Sequence, residues 1–141
     1  MTVTAKIGAV GFGLWALLHI VGAGAILAAV MSGGPEAGYV IYGVGEGALP
    51  AATGAILGYF AFLLLAIALV VGGIAARMNW NNSEAGLAIN TGIVLVIEIG
   101  LILFLLIPGH LPFMQALPGF VFFAIGVIAG GMACRKDPEN A

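Results

Sequence analysis

The chain has 141 residues, 62% of them hydrophobic and 7% charged, with a mean hydropathy of +1.20. A soluble domain of this size needs more charge to cover its surface, so the lipid bilayer is the expected solvent. Six acids against four bases leave no basic patch for nucleic acid, and one cysteine with two histidines leaves no internal disulfide, no CxxC zinc or redox motif and no histidine-rich cage for metal or haem.

Four apolar runs pass the length test for a spanning helix, about 20 residues for a hydrocarbon core of about 30 Å. They predict helices over 7–31, 51–76, 86–107 and 117–134, with Pro112 as an alternative start for the last. The expected architecture is an all-α, integral membrane four-helix transmembrane bundle forming a single domain over residues 1–141.

The first run is too long for a signal-peptide core and lacks a cleavage signature, so it reads as a retained helix. Its residues Phe12, Trp15, His19, Gly22 and Ile26 follow 3–4 spacing and share a face. The connection 32–50 is glycine-rich yet fairly apolar, and it carries Glu36, Tyr39, Tyr42 and Glu46. Its tyrosines suit anchoring in the headgroup layer; a lid over an outward cavity is the functional alternative.

The second run carries Tyr59 and a Gly54-xxx-Gly58 pair that permits close helix approach. After it come Arg77, Trp80 and Asn81-Asn82-Ser83-Glu84. Asn82 or Ser83 can cap the third helix, and Glu84 complements its N-terminal dipole. The third run holds Thr91 and Glu98 seven residues apart on one face. His110 lies in a turn bounded by Pro108 and Pro112. The fourth run holds Phe120, Phe122, Phe123 and a Gly126-xxx-Gly130 pair, and ends at Cys134, Arg135 and Lys136. Cys134 can be acylated at a membrane edge, though an inert thiol is the simpler reading.

Lys6, Arg77, Arg135 and Lys136 all flank the predicted helices on one side. The connections 32–50 and 108–116 contain no Lys or Arg. The positive-inside rule places both termini in the cytoplasm. A bacterial or archaeal inner (cytoplasmic) membrane is the expected location.

Glu98 stands out, because a carboxylate inside an apolar span costs a few kcal/mol or more and is a functional candidate by default. At about 1.5 Å of rise per residue, His19, Tyr59 and Glu98 are predicted at one depth, with Gly126 leaving room beside them. Lone buried polar groups leave hydrogen-bonding capacity unmet, so His19 or Tyr59 is the expected partner of Glu98. Trp15 and Thr91 complete this candidate site. Each member has a bland counterpart: polar residues also simply hold membrane helices together, and aromatic ones pack. An outer metal site from His110, Glu36 and Glu46 is a weaker candidate.

The size and four-helix plan invite comparison with small multidrug transporters, whose membrane glutamate lies on the first helix; here Glu98 is on the third, and no family motif is matched. Three functions remain in view. The leading one is a non-enzymatic membrane protein binding a small or apolar ligand or a membrane partner, in addition to the lipid bilayer and with homo-oligomers as one form of partner. The second is a small transporter coupled to protons through Glu98. The third is an intramembrane enzyme with Glu98 and His19 as an acid–base pair. No cofactor is indicated by motif.

Overall fold

A computed structural model describes residues 2–33 and 51–136. Among them are four α-helices: α1 (Val3–Ser32), α2 (Ala51–Arg77), α3 (Glu84–Leu101) and α4 (Phe113–Lys136). A 3-10 turn, Asn79–Asn81, follows α2, and a π turn, Ile102–Leu106, prolongs α3. Four helical stretches, of 30, 30, 23 and 23 residues, are long and apolar enough to cross a membrane. The described chain is therefore all-helical and has the composition of a small membrane protein.

The helix ends differ from the predicted ones for local reasons. α1 begins at Val3 because the Thr2 hydroxyl accepts the Ala5 amide at 3.2 Å, an N-cap. At the start of α3, Ser83 and not Asn82 is the cap: its Oγ accepts the Gly86 amide at 3.2 Å. Asn82 instead turns the chain, with φ of 61°. That left-handed conformation is more accessible to Asn than to most residues. Replacing Ser83 by Ala is expected to cost about 1 kcal/mol, read as a lowered melting temperature in detergent.

α4 starts at Phe113, earlier than 117, directly after Pro112, whose carbonyl accepts the Gln115 amide at 2.9 Å. Pro118 lies inside α4 and is exposed; membrane helices tolerate such prolines more readily than soluble ones. At the other end of α3, Ile107 bonds to the Ile102 carbonyl at 2.9 Å. The amides of His110 and Leu111 then converge on the Leu105 carbonyl, at 2.8 and 3.1 Å, while Gly109 takes φ of 77°. A glycine reaches that conformation without a Cβ penalty, and the turn satisfies helix-end carbonyls.

Apart from Phe12, Trp15, Val71 and Val94, the buried apolar side chains among the described residues are alanines. The buried apolar positions include Ala5, Ala9, Ala16, Ala23, Ala61, Ala68 and Ala75, while Ile56, Val96, Phe104 and Ile128 are exposed. In lipid the outer face needs no polarity, and small inner residues let helix backbones approach.

The chain packs as two compact units: Met1–Leu17 with Val70–Ala141, and Leu18–Leu69. In the first, α1 and α4 meet glycine against glycine. A Cβ on Gly8 would stand 2.7 Å from the Gly130 nitrogen, and one on Gly11 would stand 2.5 Å from the Gly126 nitrogen. Phe12 lies over Gly126, its ring atoms 3.0 Å from where a Cβ would be. α1 meets α2 through Ala16 and Gly72. In the second unit, Val30 packs on Gly58, whereas a Cβ on Gly54 would meet none of the described residues within 4 Å. The Gly126/Gly130 pair thus lies at a helix contact in full, and the Gly54/Gly58 pair by half.

The link 78–83 gathers the described bases at one end of the first unit. Lys6 Nζ stands 5.4 Å from the Trp80 ring centroid, a cation–π contact. The Arg77 carbonyl accepts the Asn81 side-chain amide at 2.6 Å. Cys134, next to Arg135, directs its thiol at Asn82 Oδ1 over 3.8 Å.

Candidate functional site

α3 buries one stripe. Gly86, Asn90, Val94 and Glu98 recur every four residues and are its buried positions, as a helix of 3.6 residues per turn allows. Thr91 sits beside this stripe and is half-buried, so it flanks the face of Glu98 and does not share its burial.

Glu98 is 4% exposed. The indole Nε1 of Trp15 donates to its Oε1 at 2.6 Å, and Trp15 is 0% exposed. The partner the structure gives Glu98 is thus Trp15, where the sequence pointed to His19 or Tyr59. The chemistry is apt, since indole N–H is a donor only and a carboxylate oxygen accepts. The bond ties α1 to α3 across 83 residues of sequence. Phe12, one turn before Trp15, presses on Gly126 and meets the Phe123 ring at 6.4 Å. The Gly126 gap is therefore filled by an aromatic ring of α1, and the α1–α4 seam holds Trp15 at its post.

His19 and Tyr59 belong to the second unit. His19 is half-buried and engaged in an interaction of its own. Tyr59 is 66% exposed, which is the environment of a lipid-facing or interfacial phenol. Gly22, expected on the inner face of α1, is also exposed. His110 is exposed in the turn after α3, and Glu36 and Glu46 lie outside the described residues. Among the described residues, no group of three or more His, Cys, Asp or Glu side chains is placed to hold a metal ion.

Asn79 and Asn90 escaped the sequence reading, and Asn82 was read only as a possible cap. Asn79, Asn82 and Asn90 are all buried. The Asn90 amide nitrogen lies 3.2 Å from the Val71 carbonyl, and its amide meets that of Asn79 at 3.0 Å. α2, the link and α3 are thereby joined through polar groups inside an apolar bundle. The signal was present: Asn90 is a polar residue within the run 86–107, and it precedes Glu98 by two four-residue steps. Asn79 could not be found that way, because it lies between helices, where asparagine is ordinary.

No protein-family model, curated protein or solved structure matches this chain.

Proposed function

We propose that the chain is an integral membrane protein that binds a small or apolar ligand or a membrane partner, a second copy included, and that the Trp15–Glu98 pair is the fixed polar centre of this scaffold. The observation that carries the reading is the 2.6 Å hydrogen bond between two buried side chains of different helices. A carboxylate so held contributes a defined helix register, the role polar residues commonly serve between membrane helices. An acid–base enzyme is less well supported. The donor on Glu98 is an indole, which neither gives up nor takes a proton near neutral pH.

Proton coupling through Glu98 is the second reading, favoured by one feature: Glu98 shares its buried stripe with a second polar residue, Asn90. Glu98→Gln separates the two. Gln keeps the acceptor oxygen and removes titration. A binding scaffold predicts that native mass spectrometry finds the same co-purified species with wild type and Glu98→Gln, and that proteoliposomes of neither carry a proton flux. Coupling predicts a flux in wild type that Glu98→Gln abolishes.

The proposed orientation puts Lys6, Arg77, Arg135 and Lys136 in the cytoplasm of a bacterial or archaeal cell, because charge bias in short connections sets topology. In a Cys134→Ser background, an impermeant maleimide applied to intact cells should label His110→Cys and spare Trp80→Cys. The opposite pattern would invert the assignment.

A further inference from the structure

Asn90 is wholly buried, and its side chain has partners at one end only. The nitrogen faces the Val71 carbonyl and the Asn79 amide, while Oδ1 meets no partner. Turning the amide over exchanges the two atoms and leaves the nitrogen orphaned in place of the oxygen. In either orientation one polar atom of Asn90 lacks a partner inside an apolar span. Buried polar groups in proteins are almost always satisfied, by protein or by ordered water. Water both donates and accepts, so it satisfies either orientation. A second buried atom without a partner, Asn82 Nδ2, lies in the link that collects the bases.

These groups fall in order along α3. Asn90 is six residues in from Glu84 and Glu98 is fourteen, about 9 Å and 21 Å along the axis. On the buried stripe only Val94 stands between them, and it is 0% exposed. Asparagines therefore occupy the side of Val94 nearer the basic end, and the carboxyl lies beyond it.

We propose that the buried face of α3 is a hydration path from the basic end of the bundle towards Glu98, with Asn90 as its water-binding station and Val94 as its barrier. This goes beyond the binding reading and does not depend on it: the barrier controls aqueous access to Glu98 whatever the scaffold holds.

Two measurements test it on the full chain in bilayers. Water-edited solid-state NMR on protein labelled with ¹⁵N in its asparagine side chains should show magnetisation transfer from water to the Asn90 amide protons, assigned by their loss in Asn90→Leu. A water-soluble carbodiimide with glycinamide as nucleophile reports access to Glu98: the carboxyl adds to the carbodiimide, the amine displaces the urea, and an amide forms. Labelling of Glu98 should be low in wild type and in Val94→Ile, and rise severalfold in Val94→Ala. Adding Asn90→Leu to Val94→Ala should return it to the wild-type level. Indole fluorescence of Trp15 in a Trp80→Phe background shows that each variant keeps its fold, and should Asn90→Leu not fold, Asn90→Ala serves in its place. A folded wild type without water transfer at Asn90 overturns the proposal, as does Glu98 labelling that Val94→Ala leaves unchanged. Labelling that rises in Val94→Ala but persists without Asn90 puts the water on another route and also overturns it.

Discussion

Gly11→Ala is expected to cost more than any other single-methyl addition to α1, and Gly11→Leu to leave no folded α1–α4 seam. A Cβ at position 11 would sit 2.5 Å from the Gly126 nitrogen, 2.9 Å from its Cα and 2.9 Å from the Phe122 carbonyl oxygen. All three are backbone atoms, so no side chain can rotate away. The helices must separate, and separation also lifts Phe12 from Gly126. Overpacking of a close-packed contact costs about 1–3 kcal/mol for small insertions. The measurement is monodisperse yield after detergent extraction, with the melting temperature of whatever remains. Gly92→Ala on α3 is the control: that glycine is exposed and has nothing within 4 Å. Alanine there should be neutral or gain up to roughly 1 kcal/mol from helix propensity. Equal melting temperatures for Gly11→Ala and Gly92→Ala would refute the close approach of α1 and α4.

The second large effect is expected at the Trp15–Glu98 pair, and it is a coupling. Trp15→Phe keeps an aromatic ring but takes the indole donor from Glu98 Oε1; Glu98→Leu takes away the acceptor that the indole N–H now has. Each leaves a buried polar group without the partner it has now, a loss of about 1–3 kcal/mol. The double variant strands neither. Its cost should fall short of the sum of the single costs by roughly 0.5–3 kcal/mol, the range for residues in direct contact. Unfolding in a denaturing detergent titration supplies the four free energies. Costs that add to within about 0.5 kcal/mol would mean that the hydrogen bond contributes nothing to the fold. Glu98→Gln, which retains an acceptor, should lie nearer wild type than Glu98→Leu does.

Several features are legible in the residues alone. The four helices are, because a chain in lipid must satisfy its backbone within itself, and an apolar run of spanning length has few other solutions. The gathering of Lys6, Arg77 and Arg135 at one end is, because it follows from counting bases in the connections. The inward turn of Glu98 is, because the cost of a carboxyl facing lipid leaves little choice. The importance of Gly126 was also visible as a Gly-xxx-Gly pair, although the same reasoning applied equally to Gly54, where a Cβ would meet none of the described residues within 4 Å.

What the residues alone could not determine was who meets whom. In a soluble helix the polar face marks the outside and so reveals the buried face. Here the exposed faces are as apolar as the buried ones. Trp15 was legible as a member of the candidate site, but its N–H is found on Glu98 only once α3 lies beside it. Gly8 and Gly11 become informative only once the backbone of α4 lies against them. Asn90 acquires its meaning from Asn79, a residue of a short link whose path no periodicity encodes. The helices, their apolar composition and the end that carries the bases were legible because each follows from the length of the apolar runs and the residues between them. Only the packing shows the partner of Glu98, the glycine seam and the contact of Asn90 with Asn79, since each joins segments whose outer and inner faces are alike in apolarity.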